Sequence, residues 1–485
     1  MPALFPGLPL VYRPLLQRLQ ELARARGQRV WLCGGTLRDL LLGRRPPDVD
    51  LCASGEALAL GRSWAAETKG RFVLLDPEHA TCRLVWPGGI QADLAGLRAG
   101  DIEGDLRRRD FTVNALAWEL GAALAGRGGV LDPTGGKDDL AAGLLRPAGP
   151  EVLRADPLRV LRAFRFLATH GFSLAPGTDE RLSAAAPGLF RVARERIAHE
   201  WRLMMAGARA GRAVRGLEEV QALTRLVPAL AFGRGVEQNP YHHLDVLGHS
   251  LACVESLDAI AARPREHLGD LGREVSQYLA QPEARARLAT AALLHDLGKP
   301  ATRRQRKPGW ATFYHHDREG ARLARDACRK LGLSKADREV VGLLVREHMR
   351  PFHLMGAWRR GQFSPRGVRR LLAAVGDHLA GLMALALADT MAGRGPLRPP
   401  DAEELLVAVY RRVAELRDRE LARALAAPPL IDGHRLMAAL GLEPGPEVGR
   451  LLKAVREAQL EGEIQDPTQA LELARRLWRE AHTVD

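Results

Sequence analysis

A chain of 485 residues is too long for one compact core, and its 46% hydrophobic and 27% charged side chains exclude disorder as the default state. Its 71 basic groups, nearly all arginine, exceed 58 acidic ones and leave a net charge of +13; the planar guanidinium fork suits a polyanionic partner, and an arginine-biased composition accounts for the excess equally well. No apolar run of about 18 residues marks a membrane span, and the opening MPALFPGLPLVYRP, with no basic start and early prolines, makes a poor leader, so the expected compartment is the cytoplasm.

In chain order, residues 14–26 predict a helix, QRVWLCGG a strand entering a glycine turn, and TLRDLLLG a short helix closing at Gly43. DVDLCA, RFVLLD, TCRLVW and IQADLAG read as strands of a small α/β domain ending near residue 140. From Asp156 the spacing is helical almost to the end, with turn-rich boundaries at FGRGVEQNPYHH (232–243) and MAGRGPLRPPD (391–401) and no fixed-period repeat. Cys33, Cys52, Cys82, Cys253 and Cys328 lack C-x-x-C spacing and are expected as buried thiols rather than disulfides or zinc ligands.

The stretch WLCGGTLRDLLLGRRPPDVDL (31–51) carries the first chemistry. Asp48 and Asp50, two apart on a strand, point to one face, where paired carboxylates repel unless a cation lies between them; hard oxygens suit Mg²⁺. Gly34 and Gly35 let backbone approach a triphosphate closely, and Arg38 sits just inside the next helix. Taken alone, a D-x-D reads more simply as a solvated turn. Three later segments shift that balance: DLRRRDFTVNALA (105–117), with Arg109, Asp110 and Asn114 at or before an apolar, helix-compatible run; the acidic turn LDPTGGKDDL (131–140); and ADPLRVLRAFRF (155–166), which spaces Asp156, Arg159, Arg162 and Arg165 three apart along one helical stripe. Asp93 is either a third acid on a neighbouring strand or a turn cap.

The ordered set G-G-x-x-R-D, D-x-D, R-R-D-F-T-x-N-A, D-P-x-G-G-x-x-D-L and D-P-x-R-x-x-R-A-x-R-F resembles the bacterial class II tRNA nucleotidyltransferase and poly(A) polymerase family over residues 31–166, and more weakly through ARERIAHEW (193–201). The resemblance implies an α+β fold: a polymerase-β-like α/β nucleotidyltransferase head followed by an extended all-α body. It implies that Asp48 and Asp50 hold Mg²⁺ and are catalytic. Gly34, Gly35, Arg38, Arg109, Asp110 and Asn114 are implied to bind nucleotide. Asp156, Arg159, Arg162 and Arg165 are implied to read the incoming base without a nucleic-acid template. Many members begin that last motif with Glu-Asp; this chain has Ala155-Asp156, which leaves the choice of C, A or both open.

A second series, PYHHLDVLGHSL, ALLHDLGKPATR, FYHHDREGARLA, VREHMRPF and LALADTMAG, sets histidines and aspartates on apolar helices. Each histidine alone has a structural reading, but LLHDLGKP does not bury adjacent His295 and Asp296 unpaired, since unmet burial costs roughly 1–3 kcal/mol per group. The series resembles the HD family of metal-dependent phosphohydrolases. That implies a divalent transition metal or Mg²⁺ on His249, His295, Asp296, His316, His348 and Asp389, and hydrolysis of phosphate esters such as 2′,3′-cyclic phosphates or nucleotide monoesters; a metal-stabilised RNA-binding scaffold is the competing reading.

The expected domains are a head (1–145), a helical nucleotide-selecting and RNA-binding region (146–235), the HD domain (236–400) and a helical tail (401–485) contacting tRNA or the body. The expected function is template-independent addition of C and/or A from CTP and ATP to the 3′ end of tRNA, recognised with its acceptor arm, releasing pyrophosphate. CC-only or A-only addition and poly(A) synthesis are alternatives. An HD phosphohydrolase with a nucleotide-binding head, and a non-catalytic RNA-binding protein, are alternatives of other classes. No membrane partner is expected.

Overall fold

The computed structural model describes residues 7–307, 310–426, 428–461 and 463–482. Residues 1–6, part of the segment read as a poor leader, lie outside the described residues. The chain forms two compact units, one of residues 1–346 with 388–398 and one of residues 347–387 with 399–485.

In the first unit β1 (Val30–Cys33), β2 (Val49–Ala53), β3 (Arg71–Asp76), β4 (Thr81–Trp86), β5 (Ile90–Gly96) and β6 (Ala117–Glu119) make one mixed sheet in the order β3-β4-β5-β2-β1-β6. Strand β2 runs antiparallel to β1 and parallel to β5, which sets Asp50 opposite Asp93. In β4 alternate residues Cys82, Leu84 and Trp86 are buried, whereas β1 is buried along its whole length. Helices Tyr12–Ala25 and Ala57–Thr68 supply Leu16, Leu19, Leu60 and Trp64 to a core with Leu32, Leu51, Leu84 and Leu94. Each such side chain contributes about 1.5–3 kcal/mol of transfer free energy. Trp64 also donates to the Leu15 carbonyl at 2.8 Å and packs edge-on to Trp86.

The run after Asp110, helix-compatible by spacing, instead makes a 3₁₀ turn (Thr112–Asn114) that feeds β6. Val113, Ala115, Leu116 and Ala117 are all fully buried, so there is no solvent face for an amphipathic helix, and Ala117 pairs with Cys33. Two-residue strands β7 (Leu144–Leu145) and β8 (Ser173–Leu174) pair in parallel, and β9 (Arg304–Lys307) with β10 (Trp310–Thr312) forms an antiparallel hairpin. Beyond the head, helices Leu158–His170, Arg194–Met205, Ala210–Glu219, Val246–Ala262 and Pro282–Leu294 pack together. Their contact is close: a Cβ on Gly216 would lie 2.6 Å from the Phe164 ring, and one on Gly211 2.6 Å from Glu255 Cα.

The second unit is helical. Its tail helices Gly433–Leu440, Pro446–Glu461 and Pro467–His482 bury Leu436, Val448, Leu451, Val455, Ala470 and Ala474 together, a small core of its own. One sequence expectation needs correction. The stretch Pro365–Ala392 does reach the length and hydropathy of a membrane span, with a mean hydropathy of 1.8 over 18 residues. Gly376, at φ +49°, interrupts it between helices Pro365–Val375 and Leu379–Ala392, and 67% of the apolar window is buried inside the protein.

Candidate functional site

The head gathers three carboxylates where β2 meets β5. Asp48 precedes β2, Asp50 lies on it and Asp93 on β5, and one oxygen from each falls within 4.8 Å of the others. The Thr36 hydroxyl fastens the strand by accepting the Asp50 backbone N–H at 2.6 Å. Arg83, across on β4, grips Asp93 through two bonds of 2.7 and 2.8 Å and lies 3.8 Å from Asp48. Burial first, then the neighbouring Asp48, pushes Asp50 up to about 6, with Arg109 pulling the other way. Burial and Asp93 likewise raise Asp48. The crowding of hard oxygens with too little positive charge fits a divalent cation between Asp48 and Asp50. Arg83 gave no signal in the sequence, since its partner is set by strand register.

Gly34 and Gly35 border this cluster, in the first turn of helix Gly34–Leu41. A Cβ on Gly34, at φ +60°, would lie 2.9 Å from Arg109 Nη1, and one on Gly35 3.0 Å from Asp50 Oδ2. Only glycine leaves this space and adopts this φ without strain. Gly34→Ala is therefore expected to lower nucleotide addition by about 100-fold, because small misplacements of reacting groups cost that much; retained kcat/KM in a primer-extension assay would contradict it.

Arg109 donates through Nη2 to Cys52 Sγ (2.8 Å), Cys33 Sγ (3.2 Å) and Asp105 (3.2 Å). All five cysteines are buried and free, as expected, but the Arg109 contact with two of them was not legible. Arg38 is clamped by its neighbour Asp39 with two 2.9 Å bonds and donates to Asn114 Oδ1 at 2.9 Å. Asn114 donates in turn to Asp110 Oδ1 (3.0 Å), and Asp110 Oδ2 accepts from Arg162 at 2.7 and 3.0 Å. Buried Glu200 then bridges Arg162 (3.0 Å) and Arg165 (2.6 Å). Although burial works against it, the charge of Arg162 and the bond from Asn114 hold Asp110 well below the usual carboxylate range. Phe166 lies under this string, 4.2 Å from the Arg165 guanidinium.

The Asp156–Arg165 stripe therefore divides. Arg162 and Arg165, both half-buried, join the network around Asp110 and Glu200, whereas Asp156 and the buried Arg159 line a cleft of about 1360 Å³ together with Arg98, Arg107, Arg108 and Arg196. Asp156 lies just before helix Leu158–His170, accepts from Leu158 N–H, and pairs with Arg196 at 2.8 Å. Arg159 donates to the carbonyls of Arg109 and Val152, tying the stripe to the R-D-F-T segment. Arg196 and Glu200 both come from ARERIAHEW, whose weak similarity was the only hint of them.

The HD centre gathers side chains of the first unit. His249 comes from helix Val246–Ala262, His295 and Asp296 follow helix Pro282–Leu294, His316 opens helix His316–Lys330, and Asp389 lies on helix Leu379–Ala392. His249 Nε2 is 2.9 Å from Asp389, His295 Nε2 3.2 Å from Asp296, and His316 Nε2 3.6 Å from Asp296. The Nδ1 atoms of His295 and His316 lie 2.8 and 2.7 Å from the carbonyls of Ala292 and Phe313, so each donates there and leaves Nε2 facing the carboxylate. That is how ligating imidazoles are oriented, and with His249 the donor set fits a divalent metal. Burial opposes charge on His295, yet Asp296 raises it to about 9; the cluster draws positive charge. His348 is buried directly after helix Lys335–Glu347 and belongs to the second unit.

Two residues escaped the sequence reading. Lys299 Nζ lies 2.6 Å from Asp296, and His242, forced to about 3 by burial and Lys299, joins His249 and Asp389 as a neutral imidazole. In HDLGKP the glycine is required because a Cβ on Gly298 would lie 2.1 Å from the His316 carbonyl oxygen.

Comparison with known proteins matches three family models along the chain: a poly A polymerase head domain at 91–146, a probable RNA and SrmB-binding site of polymerase A at 171–232, and an HD domain at 246–409. The A-adding tRNA nucleotidyltransferase of Deinococcus radiodurans is 36% identical over 93% of this chain and 95% of its own length. The CC-adding tRNA nucleotidyltransferase of Thermus thermophilus is 37% identical, covering 89% of each. The fold is shared with the Thermotoga maritima CCA-adding enzyme complexed with tRNA, at a TM-score of 0.58 and 20% identity over 97% of both chains. A CCA-adding enzyme complexed with ATP also superposes at 0.58, with 21% identity over 96% of this chain and 94% of that one. Ordered head motifs, a helical body and an HD centre on one chain, with relatives this similar over nearly their whole length, show that it belongs to the HD-bearing tRNA nucleotidyltransferase and poly(A) polymerase family.

Proposed function

We propose that the chain extends the 3′ end of tRNA with C, A or both in the cytoplasm, using CTP and ATP with Mg²⁺, and that its HD centre hydrolyses phosphate esters. The observation that carries the first part is the Asp48–Asp50–Asp93 cluster facing a glycine turn and Arg109. Mg²⁺ held by Asp48 and Asp50 supplies neutralisation of the triphosphate and lowers the pKa of the attacking hydroxyl. Gly34 and Gly35 admit the phosphates to the backbone, while Arg38 and Arg109 offer cations to them. The 3′-hydroxyl displaces pyrophosphate from the α-phosphorus. Asp156 and Arg159, an acceptor beside a donor, match the edge that C and A share: an amino donor next to a ring-nitrogen acceptor. Uracil and guanine present the reverse, so the pair excludes both. On this reading the head ends near residue 145, base selection occupies 146–235, the HD domain runs to 400 and the tail contacts tRNA.

Relatives named A-adding and CC-adding lie at nearly equal identity, so the end product is read by assay. tRNA transcripts ending before CCA, after C or after CC are incubated with CTP and ATP, singly and together. Incorporation confined to C and A is expected. Extension of only the CC end by ATP assigns an A-adding enzyme; incorporation of UTP or GTP at comparable rates would sink the base-reading assignment, and long A tails on unrelated RNA would make it a poly(A) polymerase.

A further inference from the structure

The β9–β10 hairpin belongs to neither reaction centre, and its chemistry is unlike its surroundings. Arg303, Arg304, Arg306 and Lys307 are all exposed, with only Gln305 among them. Among the described residues none of the four pairs with an acid, whereas Arg322, Arg325 and Arg329 on the next helix each do. A solvated charged face mixes signs; this one does not. Aromatic rings stand beside the cations: Lys307 Nζ is 5.3 Å from the Trp310 ring centre, and Arg306 lies 5.7 Å from that of Tyr314 and donates to its hydroxyl at 3.0 Å. Trp310 meets Tyr241 edge-on. Tyr314 is 60% and Tyr241 41% exposed, so ring surface is available to a ligand.

The hairpin also borders the HD centre from two sides. Phe313, one residue past β10, carries the carbonyl at His316 Nδ1 and lies 5.7 Å from Lys299 Nζ, which reaches Asp296. Tyr241 precedes His242, whose ring centre is 4.8 Å from that of His249. We propose that the hairpin and Tyr241 form a binding surface for single-stranded RNA that presents a terminal phosphate to the HD centre. Unpaired cations take the backbone phosphates, and the exposed tyrosines stack bases, which demands unpaired nucleotides rather than a duplex. RNA rather than DNA follows from the tRNA end proposed as this chain's other substrate. Presentation to the HD centre rests on reading that centre as a phosphohydrolase; binding does not.

The test titrates the full chain against a short fluorescein-labelled single-stranded RNA by anisotropy at rising salt. The triple variant Arg304→Ala, Arg306→Ala, Lys307→Ala is expected to bind about tenfold more weakly and to lower the slope of log K against log salt by about 2, three contacts at about 0.7 each. Tyr314→Ala is expected to lose about fivefold or more through stacking. All four side chains leave the core intact, so unfolding midpoints should match the wild type. Unchanged affinity and slope in the triple variant, equal capture of the same sequence as a duplex, or displacement by polyglutamate as effective as by unlabelled RNA would each overturn the surface. Hydrolysis of bis(p-nitrophenyl) phosphate, measured separately, distinguishes the two readings: no turnover with hairpin-dependent RNA binding removes the phosphohydrolase alone, and turnover without such binding removes the hairpin proposal alone.

Discussion

Asp48→Ala is expected to reduce nucleotide addition to a tRNA end by about 10³-fold or more while phosphate-ester hydrolysis stays at the wild-type rate, and His295→Ala is expected to do the converse. The expectation follows from the separation of charge clusters. Of the three clustered acids, Asp93 is already gripped by Arg83, so Asp48 and Asp50 remain to hold a cation. Removing Asp48 leaves burial as the chief cause that raises Asp50, relieves the repulsion that adds to it, and removes half of the proposed cation site. Loss of metal-borne stabilisation is worth several kcal/mol, hence the size of the effect. His295 is held by Asp296 and the Ala292 carbonyl, among residues of the HD helices alone. Both reactions are measured on the same preparations, by extension of labelled tRNA and by release of p-nitrophenol. Loss of both activities from either substitution would contradict two independent centres.

The second large effect concerns stability. Asp110→Ala is expected to destabilise the unit that holds the head by about 2–4 kcal/mol, because the buried Phe111 and Asn114 donors it leaves unmet cost roughly 1–3 kcal/mol each. Its carboxylate accepts from Arg162, Asn114 and the Phe111 N–H, and its loss leaves Arg162 with Glu200 as its remaining carboxylate bond partner. Asp110→Asn keeps an acceptor for Phe111 and should lose less. Because pairing depresses the folded-state pKa, the contribution is fully present above the unfolded carboxylate value near 4 and is lost only as pH falls through the lower folded value. A urea-unfolding series on wild type and both variants checks this; a shift below about 1 kcal/mol for Asp110→Ala would show that the network is not structural.

Much of the architecture was legible because its signals are local. Alternation along TCRLVW and IQADLAG, the glycine pair before Arg38, and the adjacent His295–Asp296 in an apolar run each occupy a few residues. What was not legible depends on packing between distant segments. Arg83 meets Asp93 only through the β4–β5 register, and Glu200 meets Arg162 only where two helices cross. The three-residue spacing of Asp156 to Arg165 suggested a single stripe, but the helix begins after Asp156, and its arginines divide between the cleft and the ion pairs with Asp110 and Glu200. The segment at β6 looked helical because burial on every side erases the pattern by which helices and strands are told apart.

The string from Asp39 through Arg38, Asn114, Asp110, Arg162 and Glu200 to Arg165 alternates charge along most of its length, so it behaves as a truss rather than as separate contacts. Any remodelling at Arg162 or Arg165 would therefore be felt at Arg38, the far end of the string. Asp156, Arg159 and Arg196, which line the cleft, stand outside this truss and can change without slackening it.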